Sequence, residues 1–429
     1  MNSTSAAEAP PVIRIPGLIK RNIALFALSQ SFTGAGMQFA YGLGGLTVIY
    51  LTNSAALAGL AVALLGLSRF LVAYPIGRVT DKLGRKPGIL LGLVLALMGS
   101  IIVGLASVVH GIATFTVGML MFGMGMNAAQ QLRVAATDMV PPRIRAQALG
   151  YVALGSLAGL FASPLIVEQS ERIAPQLGQN PLSLPWFFLP FLIVPGMLLV
   201  KLVKPDPKVI GMNLSQYYPE NVLPPKRTGP AAPPFTVPQL LRVPSIRLAI
   251  LSNCAAQGNM SIVMVLTSLV LHHHGSSLGA IAMSQTLHTT GMFAFTIPLG
   301  KLADRIGRNK VMIPGVAVTL VGAALVAFTG DFFPVTLGAF LVGLGWAAAN
   351  VASTALIADY VDTAQRGRAI GVSDSFAGGV SVVASVITGP LIDAFSLSTA
   401  GLIAVLLAVP PLVMLPLTRR AMTPPRAAE

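Results

Sequence analysis

Two short stretches, GRVTDKLGRK at residues 77–86 and GKLADRIGRN at residues 300–309, decide how this sequence folds. Both fit the pattern G-x-x-x-D-[RK]-x-G-R, and each follows an apolar run long enough to cross a bilayer. A second pair of matches accompanies them, because Asp138 and Asp359 are each followed by arginines and by a glycine twelve residues later. Two pairs in the same register indicate that the chain consists of two related halves.

The composition of the chain argues against a soluble protein. Its 429 residues are 54% hydrophobic and only 10% charged, and the mean hydropathy is +0.77. Soluble domains stop enlarging a single core at about 250–300 residues, whereas apolar runs of roughly 20 residues match helices that cross a bilayer. We therefore expect an all-α integral membrane protein whose main partner is the lipid bilayer.

The formal net charge of +14 could suggest a nucleic-acid partner, but the placement of the charges indicates topology instead. All Lys and Arg residues except Arg69 and Arg172 fall on the loops and helix ends of one side. This asymmetry predicts that both termini are cytoplasmic, in a multi-pass protein of the inner membrane. We therefore expect no nucleic-acid partner. The single cysteine, Cys254, excludes an internal disulfide.

The apolar runs predict twelve membrane-spanning helices in two bundles of six. Helices 1 to 12 are expected at 23–47, 56–78, 87–107, 111–136, 146–168, 184–203, 246–271, 278–300, 310–329, 334–358, 368–392 and 398–418. The resulting segments are a cytoplasmic tail at 1–22, bundles at 23–203 and 246–418, a linker at 204–245 and a C-terminal tail at 419–429. The linker is rich in proline, which predicts a stiff, polar connection that forms helix poorly.

The repeated loop after helices 2 and 8 resembles the signature of the major facilitator superfamily, and the resemblance covers nearly the whole chain. It implies the twelve-helix major facilitator fold, alternating access and transport driven by a gradient, in a monomer that is not an enzyme. The halves would be parallel repeats with cargo held between them. The sequence contains no G-x-x-x-x-G-K-[ST] phosphate loop, which agrees with the absence of an ATPase engine.

The signature loops are expected to form a cytoplasmic gate. Glycine would let a facing helix approach closely, and Asp81 and Arg85 are four residues apart and can pair. The expected gate residues are Gly77, Asp81, Arg85, Asp138, Gly300, Asp304, Arg308 and Asp359. Such pairs would latch the bundles in the outward-open state, since a few kcal/mol biases a two-state equilibrium. The alternative is that the basic side chains only anchor the loops to the inner leaflet.

Helices 7 and 8 carry two motifs that suit copper. The segment NMSIVM places Met260 and Met264 on one face of helix 7, and HTTGM places His288 and Met292 on one face of helix 8. Counted as antiparallel neighbours, the helices put Met264 level with His288 and Met260 level with Met292. Three thioethers and one imidazole would form a soft ligand set, which selects Cu(I).

The same motifs carry a closer resemblance. They are similar to the M-x-x-x-M of helix 7 and the H-x-x-x-M of helix 8 in the bacterial CcoA-like copper importers. His272, His273 and His274 at the end of helix 7 could then collect metal at the extracytoplasmic mouth. Copper would be cargo, and no cofactor is expected. Related members of that branch carry riboflavin, and methionine is also ordinary packing material, so an organic solute remains the alternative.

In the superfamily, helices 1, 4, 7 and 10 line the central cavity. The polar and aromatic candidates on helices 1, 4 and 10 are Gln30, Tyr41, Gln131, Trp346 and Asn350. These side chains should be required for transport if the cargo is a vitamin or another small organic solute. The same holds if the protein exchanges an organic compound for protons. The sulfur ligands should then be dispensable.

Two charges lie inside predicted spans, Arg69 in helix 2 and Asp374 in helix 11. A charge at such a depth is costly unless it faces a cavity or a partner, so both residues are candidates for coupling transport to a gradient. Each also has an ordinary explanation. Arg69 can extend toward the cytoplasmic interface, and Asp374 can be stabilised by the positive end of its helix.

Overall fold

The computed structural model describes residues 14–141, 144–219, 236–361 and 366–418. Within these ranges the chain is almost entirely helical and contains no strand. Ten stretches are long and apolar enough to cross a membrane. Two further helices, 1 and 8, are interrupted and supply the remaining crossings. The expected all-α membrane architecture is confirmed.

The helices follow the predicted order. They are helix 1 (Gly17–Thr33 and Ala35–Thr52), helix 2 (Leu60–Leu83), helix 3 (Arg85–Val108), helix 4 (Ile112–Ala129 and Gln131–Asp138), helix 5 (Arg145–Ile173), helix 6 (Leu184–Leu202), helix 7 (Pro244–His273), helix 8 (Leu278–Ala294 and Thr296–Ile306), helix 9 (Asn309–Phe328), helix 10 (Phe332–Tyr360), helix 11 (Arg366–Ala394) and helix 12 (Leu397–Leu407 and Val409–Thr418). Each overlaps the span predicted for it.

The interruption of helix 8 has a local cause. Pro298 follows the break at Phe295, and proline cannot donate the backbone hydrogen bond that Ala294 would accept in a continuous helix. The two segments therefore differ in their surroundings. The first packs between the bundles, whereas the second packs on helices 9 and 10 of its own bundle.

The two halves repeat the same close packing. An added Cβ at Gly99 of helix 3 would lie 2.2 Å from the backbone nitrogen of Phe122 in helix 4. In the second half, an added Cβ at Gly322 of helix 9 would lie 2.5 Å from the carbonyl oxygen of Gly338 in helix 10. Helix backbones approach this closely only where side chains are small. The repeat seen in the loops thus extends into the packing of each bundle.

The linker is more ordered than its proline content suggests. Short helices form at Pro207–Met212 and Val237–Arg242, each with proline in its first turn, where the missing N–H is harmless. Tyr218 is buried to 2% exposure, and burial raises the pKa of its hydroxyl to about 12. The expectation of a segment that forms helix poorly is therefore wrong for its ends. Buried side chains anchor the first end to the N-terminal bundle, and Leu240 anchors the second to the C-terminal bundle.

Candidate functional site

We call the side of the molecule on which the linker lies the linker face, and the opposite side the far face. Near the far face, the bundles are joined by hydrogen bonds. The Glu171 carboxylate at the end of helix 5 accepts from the backbone N–H of Leu278, at 2.9 Å, where helix 8 begins. Deeper in, Thr286 donates to the carbonyl of Leu160, at 3.1 Å. Both contacts cross from one bundle to the other.

Helices 2 and 11 close the other side of the far half. An added Cβ at Gly59 would lie 1.7 Å from the carbonyl oxygen of Ser385, and one at Gly389 would lie 1.9 Å from that of Ala56. No side chain other than hydrogen fits at either position. The far half of the inter-bundle interface is therefore tightly shut.

Toward the linker face, the bundles separate. On this side helices 2 and 11 part, since Arg69 of helix 2 and Asp374 of helix 11 are both exposed. Helices 5 and 8 stay in contact, because a Cβ added at Gly150 would lie 3.5 Å from Cδ1 of Ile297. A Cβ added at Gly378 of helix 11 would meet nothing within 4 Å. Among the described residues, the cleft between the bundles is thus closed at the far face and open at the linker face.

Helix 7 shows where the cleft ends. Leu251, Cys254 and Gln257 are partly exposed at intervals of one helical turn, so one stripe of the helix lines the cleft. From Gly258 to Leu271 every residue is buried. The cleft therefore ends near Gln257, about half-way along the helix.

A set of side-chain hydrogen bonds lies at this level. Trp346 of helix 10 donates its indole N–H to the amide oxygen of Gln257, at 2.8 Å. Asn350 donates to the amide oxygen of Asn253, at 3.1 Å, and Asn253 donates in turn to Ser373 of helix 11, at 3.1 Å. The network joins three helices and leaves Trp346, Asn350 and Gln257 partly exposed to the cleft.

The predicted cavity residues differ in their exposure to the cleft. Tyr41, Gln131, Trp346 and Asn350 are all partly exposed. Gln30 is only 3% exposed, because this part of helix 1 packs tightly on helices 5 and 6. Gln30 therefore does not line the cleft in this conformation.

Arg69 and Asp374 face each other across the bundles. Both side chains are exposed, one on helix 2 and one on helix 11. Arg69 is close enough for its charge to act on the Asp374 carboxyl, and the Asn253 amide lies within reach of the same carboxyl. The two described side chains form no ion pair with each other. Opposite charges thus stand at the edge of the cleft, and their role in coupling stays a prediction.

The predicted metal ligands lie in the sealed half. Met260, Met264 and His288 are at most 7% exposed, and Met292 is partly buried. His288 hydrogen-bonds through Nδ1 to the carbonyl of Ala339 in helix 10, at 2.6 Å. Its Nε2 is buried and has no partner. The convergence of the four ligands stays a prediction.

The histidines at the end of helix 7 are exposed near the far face. His274 hydrogen-bonds through Nδ1 to the carbonyl of Val270, at 2.8 Å, and stacks edge-on against His273. Successive helical residues point about 100° apart, so adjacent histidines do not converge readily. In the ranges that the structure describes, no group of three His, Cys, Asp or Glu side chains is arranged to hold a metal ion.

The signature loops form ion pairs within each bundle. Arg85 pairs with Asp138 at 2.7 Å. In the second half, Arg308 pairs with Asp304 and, at 3.1 Å, with Asp359. Partial burial opposes the charge of Arg308, but these two carboxylates outweigh it and raise the pKa of the guanidinium.

The expected contact between bundles is not made by these pairs in this open state. They hold each loop to the end of helix 4 or helix 10 instead. An added Cβ at Gly300 would lie 3.6 Å from Val351, an ordinary contact rather than a close helix approach. The side chains of Gly77 and Asp81 lie outside those that the structure describes.

Several site residues escaped the sequence analysis. Asp206 in the linker accepts from the backbone N–H groups of Arg85 and Lys86, at 3.1 and 3.0 Å, and so caps helix 3 beside the first signature loop. Glu171 performs the similar task for helix 8. In the sequence, Asp206 and Glu171 are marked only by being acidic residues at the end of an apolar run. Only the fold shows which helix each carboxylate reaches.

A separate groove of about 1060 Å³ runs between helices 11 and 12. Its lining is apolar and includes Phe376, Val383, Ile403 and Leu407, with Ile262 of helix 7 at one side. Such a surface suits acyl chains rather than a hydrogen-bonding solute. It is distinct from the polar network at Gln257.

The chain is similar to two bacterial transporters over nearly its full length. The chain is 27% identical to the uncharacterized MFS-type transporter YdeG of Bacillus subtilis, over 91% of each chain. It is 25% identical to the riboflavin transporter RfnT of Brucella anthropi, over 96% of this chain and 98% of the relative.

Solved structures share the fold. The xylose transporter XylE from E. coli, in an inward open conformation, superposes with a TM-score of 0.65 at 15% identity, over 92% of this chain and 95% of that one. The nucleoside transporter NupG gives 0.63 at 14% identity, over 93% and 99%. The family model of the Major Facilitator Superfamily matches residues 23–233 and 248–429. The chain therefore belongs to the Major Facilitator Superfamily and is a multi-pass membrane transporter.

Proposed function

We propose that this transporter carries a small, planar, hydrogen-bonding organic solute by alternating access, and that riboflavin is the first compound to test. The observation that carries the proposal is the network of Trp346, Gln257, Asn350 and Asn253 at the end of the open cleft. An indole offers a flat apolar surface, and amides offer both donors and acceptors. Together they suit a flat ring with polar edges.

The distribution of charge supports an orientation for this cycle. The basic residues concentrate at the linker face, which is expected to lie in the cytoplasm of a bacterial inner membrane. The open cleft then corresponds to the inward-open state. One chain supplies both bundles and the whole cleft, so the proposed transporting unit is a monomer.

The similarity to RfnT supports riboflavin as the first probe, because it extends over nearly the full length of both chains. Riboflavin transport is the function of RfnT. For the present chain, the proposal depends on the residues at the cleft.

Uptake of labelled riboflavin by bacteria that lack their own transporter tests the proposal. Trp346→Phe removes the N–H that binds Gln257, and we expect the transport efficiency to fall about tenfold, as for loss of one hydrogen bond of ~1.4 kcal/mol. The matched control is Trp186→Phe, because Trp186 is fully buried within the N-terminal bundle. Wild-type uptake no faster than that of cells without the protein would refute riboflavin as cargo.

Copper uptake is the second candidate, and one observation favours it. His288 binds a carbonyl through Nδ1 and leaves Nε2 buried without a partner. A histidine held in this way presents a neutral nitrogen lone pair, the form that ligates metals. Met260 and Met264 belong to the same buried core, and soft thioethers favour Cu(I).

Cellular copper content, measured in the same cells, separates the two cargoes. If copper is carried, Met264→Leu and His288→Leu should abolish the copper accumulated through the protein. Met119→Leu is the control, since Met119 is fully buried in helix 4. Copper content that is unchanged in both variants at equal protein level would exclude the metal site.

A further inference from the structure

Two buried glutamines, one on helix 1 and one on helix 8, carry polar groups without partners. Gln38 of helix 1 is 1% exposed, and neither its amide nitrogen nor its amide oxygen has a partner. Gln285 of helix 8 is fully buried, and its amide oxygen also lacks a partner. Native proteins leave few buried polar groups unsatisfied, and each one calls for an explanation.

The surroundings of Gln285 place it at a junction of three helices. Its amide nitrogen donates to the carbonyl of Met264 and to the hydroxyl of Ser268 in helix 7, each at 3.1 Å. Its Cγ would lie 3.6 Å from a Cβ added at Gly42 of helix 1. Ser268 in turn approaches the carbonyl of Tyr41, at 3.5 Å. Gln285 therefore belongs to the interface between the bundles.

Helical spacing places Gln38 at the same junction. Gln38 lies four residues before Gly42, so it shares the face of helix 1 that meets Gln285, one turn nearer the linker face. The cleft does not reach it, because helix 7 is buried from Gly258 onward. The unpartnered groups of Gln38 and Gln285 thus lie just beyond the closed end of the cleft, toward the far face.

This interface has to part when the transporter opens to the other side. While the far face is closed, the amides of Gln38 and Gln285 lack hydrogen-bond partners. When the far face opens, water or cargo can provide these partners. A site that exchanges its partners in this way is expected along a transport path. An unpartnered group within one bundle, such as the Ser107 hydroxyl, has no such exchange because its surroundings move with it.

We propose that Gln38 and Gln285 form the far-side station of the solute path, where cargo is held when the far face is open. This inference rests on the organic cargo proposed above and specifies its chemistry. The free amide of Gln38 offers a donor and an acceptor side by side, and Gln285 adds an acceptor. Together they recognise a planar group that carries a donor next to acceptors, such as the edge of a heteroaromatic imide.

The first test needs no cargo. In a Cys254→Ser background, Gln285→Cys and Gly42→Cys are treated with a membrane-impermeant thiol reagent from the far side. Both should react, because the station opens to that side. Ser107→Cys is the control, since Ser107 is a buried, unpartnered hydroxyl on helix 3 within one bundle, and it should stay unreactive. Failure of both junction cysteines to react would overturn the station.

The second test uses riboflavin. Gln38→Leu and Gln285→Leu should each raise the half-saturating riboflavin concentration at least tenfold. Asn259→Leu, which changes a buried amide bonded to helix 12, should change it less than threefold. Unchanged affinity in both junction variants would overturn the station. If the wild type carries no riboflavin, riboflavin is refuted as cargo, and the labelling experiment still overturns the station if neither junction cysteine reacts.

Discussion

At the scale of single residues, one carboxylate connects the linker to the gate. Asp206 accepts hydrogen bonds from the first two backbone N–H groups of helix 3 and from that of Lys208. The start of helix 3 follows the first signature loop directly, and the positive end of a helix favours a negative charge. Asp206 therefore fixes the position of the gate loop from outside the repeated motif.

Asp206→Ala should lower the stability of the folded protein by about 1–2 kcal/mol, the usual cost of a lost helix cap. Thermal unfolding of the purified protein in detergent measures the change. Asp331→Ala is the matched control, because Asp331 precedes helix 10 and its side chain makes no capping hydrogen bond. Equal effects of the two substitutions would contradict the cap.

At the scale of helices, closure of the far face depends on direct backbone contact. Gly389→Ala adds a methyl group that would lie 1.9 Å from the carbonyl oxygen of Ala56, so helices 2 and 11 could not close. Uptake should fall at least tenfold, and labelling of Gly42→Cys from the far side should rise. Gly378→Ala, on the same helix in open space, should change neither measurement by more than twofold.

The start of helix 8 supplies the polar part of the same closure. Glu171→Ala removes the acceptor of the Leu278 N–H, a cap of about 0.5–2 kcal/mol. Far-side labelling of Gly42→Cys should therefore increase roughly two- to thirtyfold. Arg172→Ala breaks only the exposed pair with Glu168 and should leave the labelling nearly unchanged. Similar labelling in both variants would show that the hydrogen bond of Glu171 to helix 8 does not hold the far face closed.

At the scale of the whole molecule, transport requires the two bundles to change their relative position. An added Cβ at Gly66 would lie 2.8 Å from a methyl group of Val382, so cysteines at these positions approach disulfide geometry. Oxidised Gly66→Cys/Val382→Cys, without Cys254, should be inactive, and reduction should restore uptake. Transport by the fully cross-linked protein would show that helices 2 and 11 need not separate.

The ion pairs of the signature loops illustrate how far prediction from sequence extends. Arg308 and Asp304 are four residues apart on one helix end, so their pairing follows from local geometry and is found. The role expected for such pairs was a link between the bundles. The structure shows both Arg85 and Arg308 bound to acids of their own bundle, at Asp138 and Asp359. The sequence shows to which bundle each of these acids belongs. It does not show which helices the ion pair connects in a given conformation.

The sequence alone determined the membrane class, the order of twelve helices and the repeat, because bilayer thickness and local hydropathy fix these features segment by segment. The tertiary structure alone decided what meets between the bundles. Gly42 approaches Gln285, and Glu171 approaches Leu278, across more than a hundred residues of chain. Such contacts depend on how separate helices pack, and hydropathy carries no information about that packing. The junction of helix 1 with Gln285 was therefore visible only in three dimensions, whereas Trp346 and Asn350 were already candidates from the sequence.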